Sequence, residues 1–139
     1  MAKEEEFYLM NKICLRINKA LEQELESLHS IPLSSFEVLY MLGNSQDGFL
    51  SMNELAEQVD LTPSGLTRLI DRMVQLKLIE RTSCPTDRRV VYVKLTEYGK
   101  NCFELASKTY RQVLRENITN RLSDGELDQL RFLLQKLGN

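Results

Sequence analysis

A chain of 139 residues is long enough to bury one core without disulfides or metal, and 42% hydrophobic with 27% charged residues is the balance of a soluble globular domain. Three widely spaced cysteines (Cys14, Cys84 and Cys102) do not form a disulfide framework, and the single histidine, His29, leaves no ligand pair for a metal, so neither metal nor cofactor is expected. The net charge of −2 speaks against a protein that coats nucleic acid indiscriminately, no apolar run reaches membrane-spanning length, and the widely separated, odd-numbered cysteines make the reducing cytoplasm the expected compartment.

The first predicted element is a long amphipathic helix over Glu5–Leu28, where Met10, Ile13, Cys14, Ile17, Leu21, Leu25 and Leu28 recur at helical spacing. Ile31-Pro32 ends it. Ser34, with Glu37 three residues on, has the form of a capping box and predicts a second helix that stops at Gly43-Asn44. After the loop Ser45-Gln46-Asp47-Gly48 comes a short apolar stretch, Phe49-Leu50. Ser51 and Glu54 then form another capping box and open a short third helix through Leu55, Ala56 and Val59. Only Asp60 and Leu61 separate it from Thr62, a good N-cap, and from Pro63 at the first helical position, where its missing N–H costs nothing. This fourth helix is expected to run to about Leu76.

There the hydrophobic period changes from helical to alternating. Ile79–Thr82 and Arg89–Leu95 are rich in strand formers, and the turn-like Cys84-Pro85-Thr86-Asp87-Arg88 between them predicts a hairpin with a basic tip. Thr96 caps a long fifth helix through Phe103, Ala106, Tyr110, Val113 and Leu114. Ser123 and Glu126 make a third capping box, for a last helix carrying Leu127, Leu130, Leu134 and Leu137. The expected fold is mainly α with a small β-hairpin: a winged helix-turn-helix over residues 33–96, flanked by long dimerisation helices at 5–32 and 97–138, the whole of 1–139 forming one unit.

Charge follows this division. Residues 33–61 hold five Asp/Glu and no Lys/Arg, whereas residues 62–94 hold seven Lys/Arg against three Asp/Glu. A confined basic segment in an acidic chain is the electrostatic footprint of a groove reader, since phosphate contacts supply much of the affinity for DNA.

Two short helices joined by a tight turn, the second followed at once by a hairpin, is the layout of a winged helix-turn-helix. On the second of them Leu66, Leu69, Ile70 and Met73 form the stripe that must be buried. The opposite face presents Ser64, Thr67, Arg68, Asp71, Arg72 and Gln75. Arginine can bond guanine's major-groove edge at two points, glutamine suits adenine, and hydroxyls serve bases or phosphates, so Ser64, Thr67, Arg68, Arg72 and Gln75 are candidate contacts to double-stranded DNA. Gly65 removes a side chain where the helix would approach phosphates. At the hairpin tip, Arg88 and Arg89 are candidates for entering the minor groove, and Asp87 is placed to hold one guanidinium while the other searches. Taken singly, each feature also fits a solvated helix face or an exposed Asp–Arg pair of little consequence.

The run Asp87-Arg88-Arg89-Val90-Val91-Tyr92-Val93-Lys94-Leu95-Thr96-Glu97-Tyr98-Gly99 resembles the signature of the MarR family, an Asp-x-Arg wing leading to Leu-Thr-x-x-Gly. Glu54-Leu55-Ala56 and Leu66-Thr67-Arg68-Leu69-Ile70-Asp71-Arg72 resemble that family's reading head. The resemblance implies a transcriptional regulator, often a repressor, that binds a pseudo-palindromic operator as a homodimer. One departure stands out: Lys77 occupies the place where the family usually has glycine, after the recognition helix, and a non-glycine left-handed residue is uncommon.

The apolar stripes of the first and last helices, at both chain ends, fit a shared two-fold interface. The resemblance also implies a cavity for a small aromatic or lipophilic effector, often an anion. Ile13, Ile17, Phe36 and Tyr40 are candidates to line it, with Arg16 as an anion partner. Thiol sensing is the rival trigger. Cys14 lies roughly where one branch of the family places a reactive cysteine, although that branch's tyrosine partners are not evident and Cys14 falls on the apolar stripe. Cys84, expected to be the more exposed of the two, is a weaker candidate. A winged-helix module that binds protein is a further alternative, but it predicts an apolar or acidic outer face on the fourth helix. No nucleophile–base set and no glycine-rich phosphate loop points to an enzyme.

Overall fold

The computed structural model describes residues 3–139. Its elements are α1 (Glu4–His29), α2 (Leu33–Gly43), β1 (Phe49–Ser51), α3 (Met52–Gln58), α4 (Pro63–Gln75), β2 (Ile79–Ser83), β3 (Val91–Leu95), α5 (Glu97–Asn117), a single 3-10 turn (Thr119–Arg121) and α6 (Asp124–Gly138). The mainly helical architecture and the order of the helices are those expected from the sequence.

Three local expectations need correction. The Ser34–Glu37 capping box does not form: α2 starts at Leu33, its N-cap is Pro32, and no side chain caps it. Proline fixes the entry angle, Phe36 N–H bonds the Pro32 carbonyl at 3.0 Å, and burial of Leu33 draws the helix start ahead of Ser34. Phe49-Leu50, expected only as a short apolar stretch, is part of a strand. β1 pairs antiparallel with β3 (Leu50 opposite Val93), so the hairpin becomes a three-stranded sheet of order β1-β3-β2. β3 begins at Val91, two residues later than expected, because Arg89 is taken into a closed turn. Cys84 N–H bonds the Val90 carbonyl at 3.0 Å and Val90 N–H bonds the Asp87 carbonyl at 3.1 Å.

The Ser51–Glu54 and Ser123–Glu126 boxes are both complete, with each serine accepting from its glutamate's N–H and each glutamate accepting in return. One core unites the helices and the sheet. Phe36, Val38, Leu39 and Leu42 of α2 sit at its centre against Ile70 and Met73 of α4, Val93 of β3 and Ala106 of α5. α1 lies along α5 and joins this core through Ile17, Leu21 and Leu25, with His29 Nε2 2.8 Å from Thr109 Oγ1 as a polar tie.

The Leu95-Thr96-x-x-Gly99 run has a specific mechanical role. Thr96 Oγ1 accepts from Gly99 N–H at 2.9 Å, capping α5, and donates to the Lys77 carbonyl at 2.6 Å. Thr96 N–H bonds the Leu78 carbonyl at 3.1 Å. A Cβ on Gly99 would stand 1.9 Å from that same carbonyl oxygen, so only glycine lets α5 approach the exit of α4 this closely. That exit is a Schellman turn: Leu78 N–H bonds the Met73 carbonyl, Lys77 N–H bonds the Val74 carbonyl, and Lys77 takes φ 63°. The left-handed conformation expected at Lys77 is present, without glycine to relieve it.

Candidate nucleic-acid interface

α4 is built for two different faces. Thr62 caps it by accepting from Gly65 N–H at 3.1 Å, Pro63 occupies the first turn, and Leu66, Leu69, Ile70 and Met73 are buried. Ser64, Thr67, Arg68, Asp71, Arg72 and Gln75 are all exposed, so the polar ridge expected from the sequence lies on the surface as a continuous strip. Within it, Thr67's hydroxyl donates to the Pro63 carbonyl at 3.0 Å, and Ser64 Oγ lies 3.3 Å from Thr62 Oγ1. Gly65 has a role besides clearing space outward, since a Cβ there would stand 3.1 Å from the capping hydroxyl of Thr62.

The helix and the wing are tied together by charge. Asp71, on the outer ridge of α4, pairs with Arg81 of β2. This link joins β2 of the wing to the ridge. Sequence reasoning missed it because the two residues belong to elements of different period, and only the sheet's placement brings them together. At the tip, Asp87 Oδ1 accepts from Arg89 N–H at 3.0 Å and from Arg89 Nε at 3.2 Å. Asp87 thus holds Arg89 by its inner nitrogen, leaving the end of a guanidinium whose side chain is 92% exposed directed outward. Arg88, also exposed, makes no ion pair among the described residues.

All three acids of residues 62–94 are spent on cations of the same segment: Asp71 on Arg81, Asp87 on Arg89 and Glu80 on Lys94, the last at 3.1 Å across the hairpin. The excess of positive charge therefore resolves into four cations with no ion pair among the described residues: Arg68, Arg72, Lys77 and Arg88. Arg68 and Arg72, with Ser34, Leu61 and Gly65, line an open cleft of about 410 Å³ between the start of α2 and α4. Ser34 is thus a surface neighbour of the two arginines, a place that its resemblance to a cap concealed.

The other sequence candidates are dispersed. Phe36 and Tyr40 line a separate cavity between α2, the end of α3 and α5, and Ile13, Arg16 and Ile17 do not. Ile17 is buried in the core, while Ile13 and Arg16 are exposed on α1. The cysteines reverse their expected order, with Cys14 exposed and Cys84 half-buried. Cys84 Sγ lies 3.2 Å from Thr86 Oγ1, and hydrogen bonding by Thr86 draws its thiol below the ordinary range. Among the described residues no group of three or more potential ligands gathers at a metal site, and no helix is long and apolar enough to cross a membrane.

Comparison with known proteins agrees with this geometry. The sequence profile of the MarR family matches residues 29–90. The transcriptional repressor MdtR of Bacillus subtilis is 30% identical over 121 residues, which cover 86% of this chain and 76% of MdtR. Among solved structures, a mutant MarR from E. coli complexed with operator DNA superimposes with a TM-score of 0.81 at 26% identity, covering 99% of each chain. AbsC, a MarR family regulator from Streptomyces coelicolor, shares the fold with a TM-score of 0.88 at 22% identity, over 99% of this chain and 94% of AbsC. The chain belongs to the MarR family of transcriptional regulators.

Proposed function

We propose that this protein is a cytoplasmic repressor that binds a pseudo-palindromic operator as a homodimer and is released by a small aromatic or lipophilic effector. The observation that carries the DNA reading is the distribution of charge. Every acid of residues 62–94 is paired, and the four cations without an ion pair among the described residues belong to the reading helix, its exit and the wing tip. Arg68 and Gln75 on the ridge suit base edges. Arg72 and Lys77 suit phosphates, and Arg88 and Arg89 suit the minor groove. This basic, polar outer face favours DNA over a protein partner. Solved relatives named as DNA complexes, of MarR and of S. aureus MepR, support the same mode.

The dimer reading rests on apolar surface that the single chain leaves open. α6 buries none of its residues, and Phe132, Leu133, Leu134 and Leu137 are 53–70% exposed. At the other end of the chain, Phe7, Leu9, Met10 and Ile13 of α1 are 44–65% exposed. Such surface belongs in an interface, and two-fold symmetry would match two half-sites about one helical turn (~34 Å) apart. Selection of bound duplexes from a random pool at fixed salt, with sedimentation of the complex, tests both readings. The expected outcome is a symmetric consensus bound by two chains. An unstructured pool after repeated rounds would refute the reading.

A further inference from the structure

A cavity of about 360 Å³ lies between α2, the end of α3 and α5. One wall is aromatic. The ring centroids of Phe36 and Tyr110 are 4.8 Å apart, those of Tyr40 and Tyr110 5.8 Å, and those of Phe36 and Tyr40 6.2 Å. Phe36 is fully buried and anchors the cluster, while Tyr40 is 47% exposed and offers its ring to an occupant. The charged lining is Glu37 and Asp60, and no Lys or Arg contributes to it.

These two carboxylates differ from those of the DNA-reading segment. Asp71, Glu80 and Asp87 each hold a cation, whereas Glu37 and Asp60 make no ion pair among the described residues. Nor does their own segment offer one, since residues 33–61 contain no Lys or Arg. Burial raises the Glu37 carboxyl above its ordinary pKa, and the charges of Asp60 and Glu22 add to the effect. Negative potential beside exposed aromatic faces is attractive to one class of ligand. A quaternary or protonated amine gains both from the carboxylates and from the ring quadrupoles. An anion would meet two uncompensated carboxylates and no donor cation, because Arg16 is not part of the lining.

We propose that this cavity binds small aromatic organic cations, with the ammonium group against Glu37 and Asp60 and the apolar body against Tyr40 and Tyr110. The proposal names the effector's chemical class, opposite to the anion expected from family resemblance, and depends on the effector reading only for its consequence at DNA. Asp60 stands two residues before Thr62, the cap of α4, so an occupant would press on the segment that sets the reading helix.

Calorimetric titration of the DNA-free protein with phenyltrimethylammonium and with salicylate, two probes of similar size and opposite charge, tests the assignment independently of operator binding. The cation is expected to bind at least tenfold more tightly than salicylate. Glu37→Gln should weaken it by about tenfold, the scale of one partly exposed charge pair, while leaving the melting curve cooperative. Asp60→Asn, on a different element, should weaken it in the same direction. Tighter binding of salicylate, absence of cation binding, or unchanged cation affinity in both folded variants would overturn the proposal. Duplex binding measured on the same samples keeps a failure of the DNA reading separate.

Discussion

Residues 33–61 and 62–94 are consecutive and share one core, yet they treat charge in opposite ways. In the second segment acids are placed against cations, and the pairs do structural work: Asp71–Arg81 joins helix to wing, and Asp87–Arg89 sets a side chain's direction. In the first, Glu37 and Asp60 stand beside an aromatic wall with no ion pair among the described residues. Exposed pairs contribute little stability, so the pairing in the second segment is better understood as control over which cations remain available to a polyanion. The unpaired acids of the first keep a second surface that repels it. One small domain thus presents two surfaces of opposite charge, one lined by Glu37 and Asp60 and the other by Arg68 and Arg72.

The largest expected effect breaks the basic side of this contrast. Arg68→Ala should cost about 1–3 kcal/mol on the cognate duplex and relax preference at one position in each half-site. Arg72→Ala should weaken cognate and random duplexes alike and lower the slope of log affinity against log salt by about one, as for a single lost phosphate contact. Fluorescence anisotropy on both duplexes across a salt series separates the two. Equal losses on both duplexes for Arg68→Ala would remove it as a base reader.

Asp71→Ala sharpens the comparison by unpairing a cation in place of removing one. Arg81 is then free, the local charge rises by one, and the wing loses its tie to α4. Affinity for random duplex should rise, and its salt slope should steepen by up to about one, while discrimination falls. A variant that lost affinity equally for both duplexes would show that the pair supports folding and not orientation.

How far these features were legible differs from element to element. Helices with a cap and a stripe, such as α3 from Ser51 and α4 from Thr62, could be placed because their signals lie within a few residues. β1 could not, because three residues carry no period and its strand character comes from pairing with β3, some forty positions on. Ser34 misled for a related reason: a capping pattern is only a local preference, and burial of Leu33 behind a proline outweighed it. Of the site, the Ser64–Gln75 ridge and the Asp87–Arg89 contact were readable from spacing. The Asp71–Arg81 tie and the acidic character of the cavity were not, since each joins residues from elements whose approach only the tertiary packing decides. Of the residues that the family resemblance named for an effector cavity, Phe36 and Tyr40 line this one, whereas Ile13, Arg16 and Ile17 of α1 are not in its lining.

A smaller effect concerns the junction between α4 and the wing. Lys77 holds φ 63°, which costs a side-chain-bearing residue about 1–2 kcal/mol relative to right-handed backbone. Glycine removes that strain but has more unfolded-state freedom to lose, so Lys77→Gly should gain roughly 0.5–1 kcal/mol in urea unfolding. The same change deletes one of the four unpaired cations. If Lys77 meets phosphate, the more stable variant should bind all duplexes slightly less well; unchanged affinity would assign the lysine to solvent alone.

The smallest expected effect is on the acidic side, and it is one of sign. Glu37's pKa stands above its ordinary value of 4.5, chiefly through burial and then through Asp60 and Glu22. A carboxyl with a raised folded pKa binds its proton more readily in the native state than in the unfolded chain. Its favourable contribution is therefore complete below the unfolded value and is lost as pH rises through the folded one. Glu37→Gln keeps the shape without the charge, so it should match wild type in stability near pH 4 and exceed it near pH 7. Its affinity for duplex DNA, in the absence of any cation ligand, should stay that of wild type, because Glu37 is not among the residues lining the Arg68–Arg72 cleft. A variant less stable than wild type at pH 7 would mean that the Glu37 carboxylate has a cationic partner in the working protein, and the two segments would then differ in the source of their counter-charge.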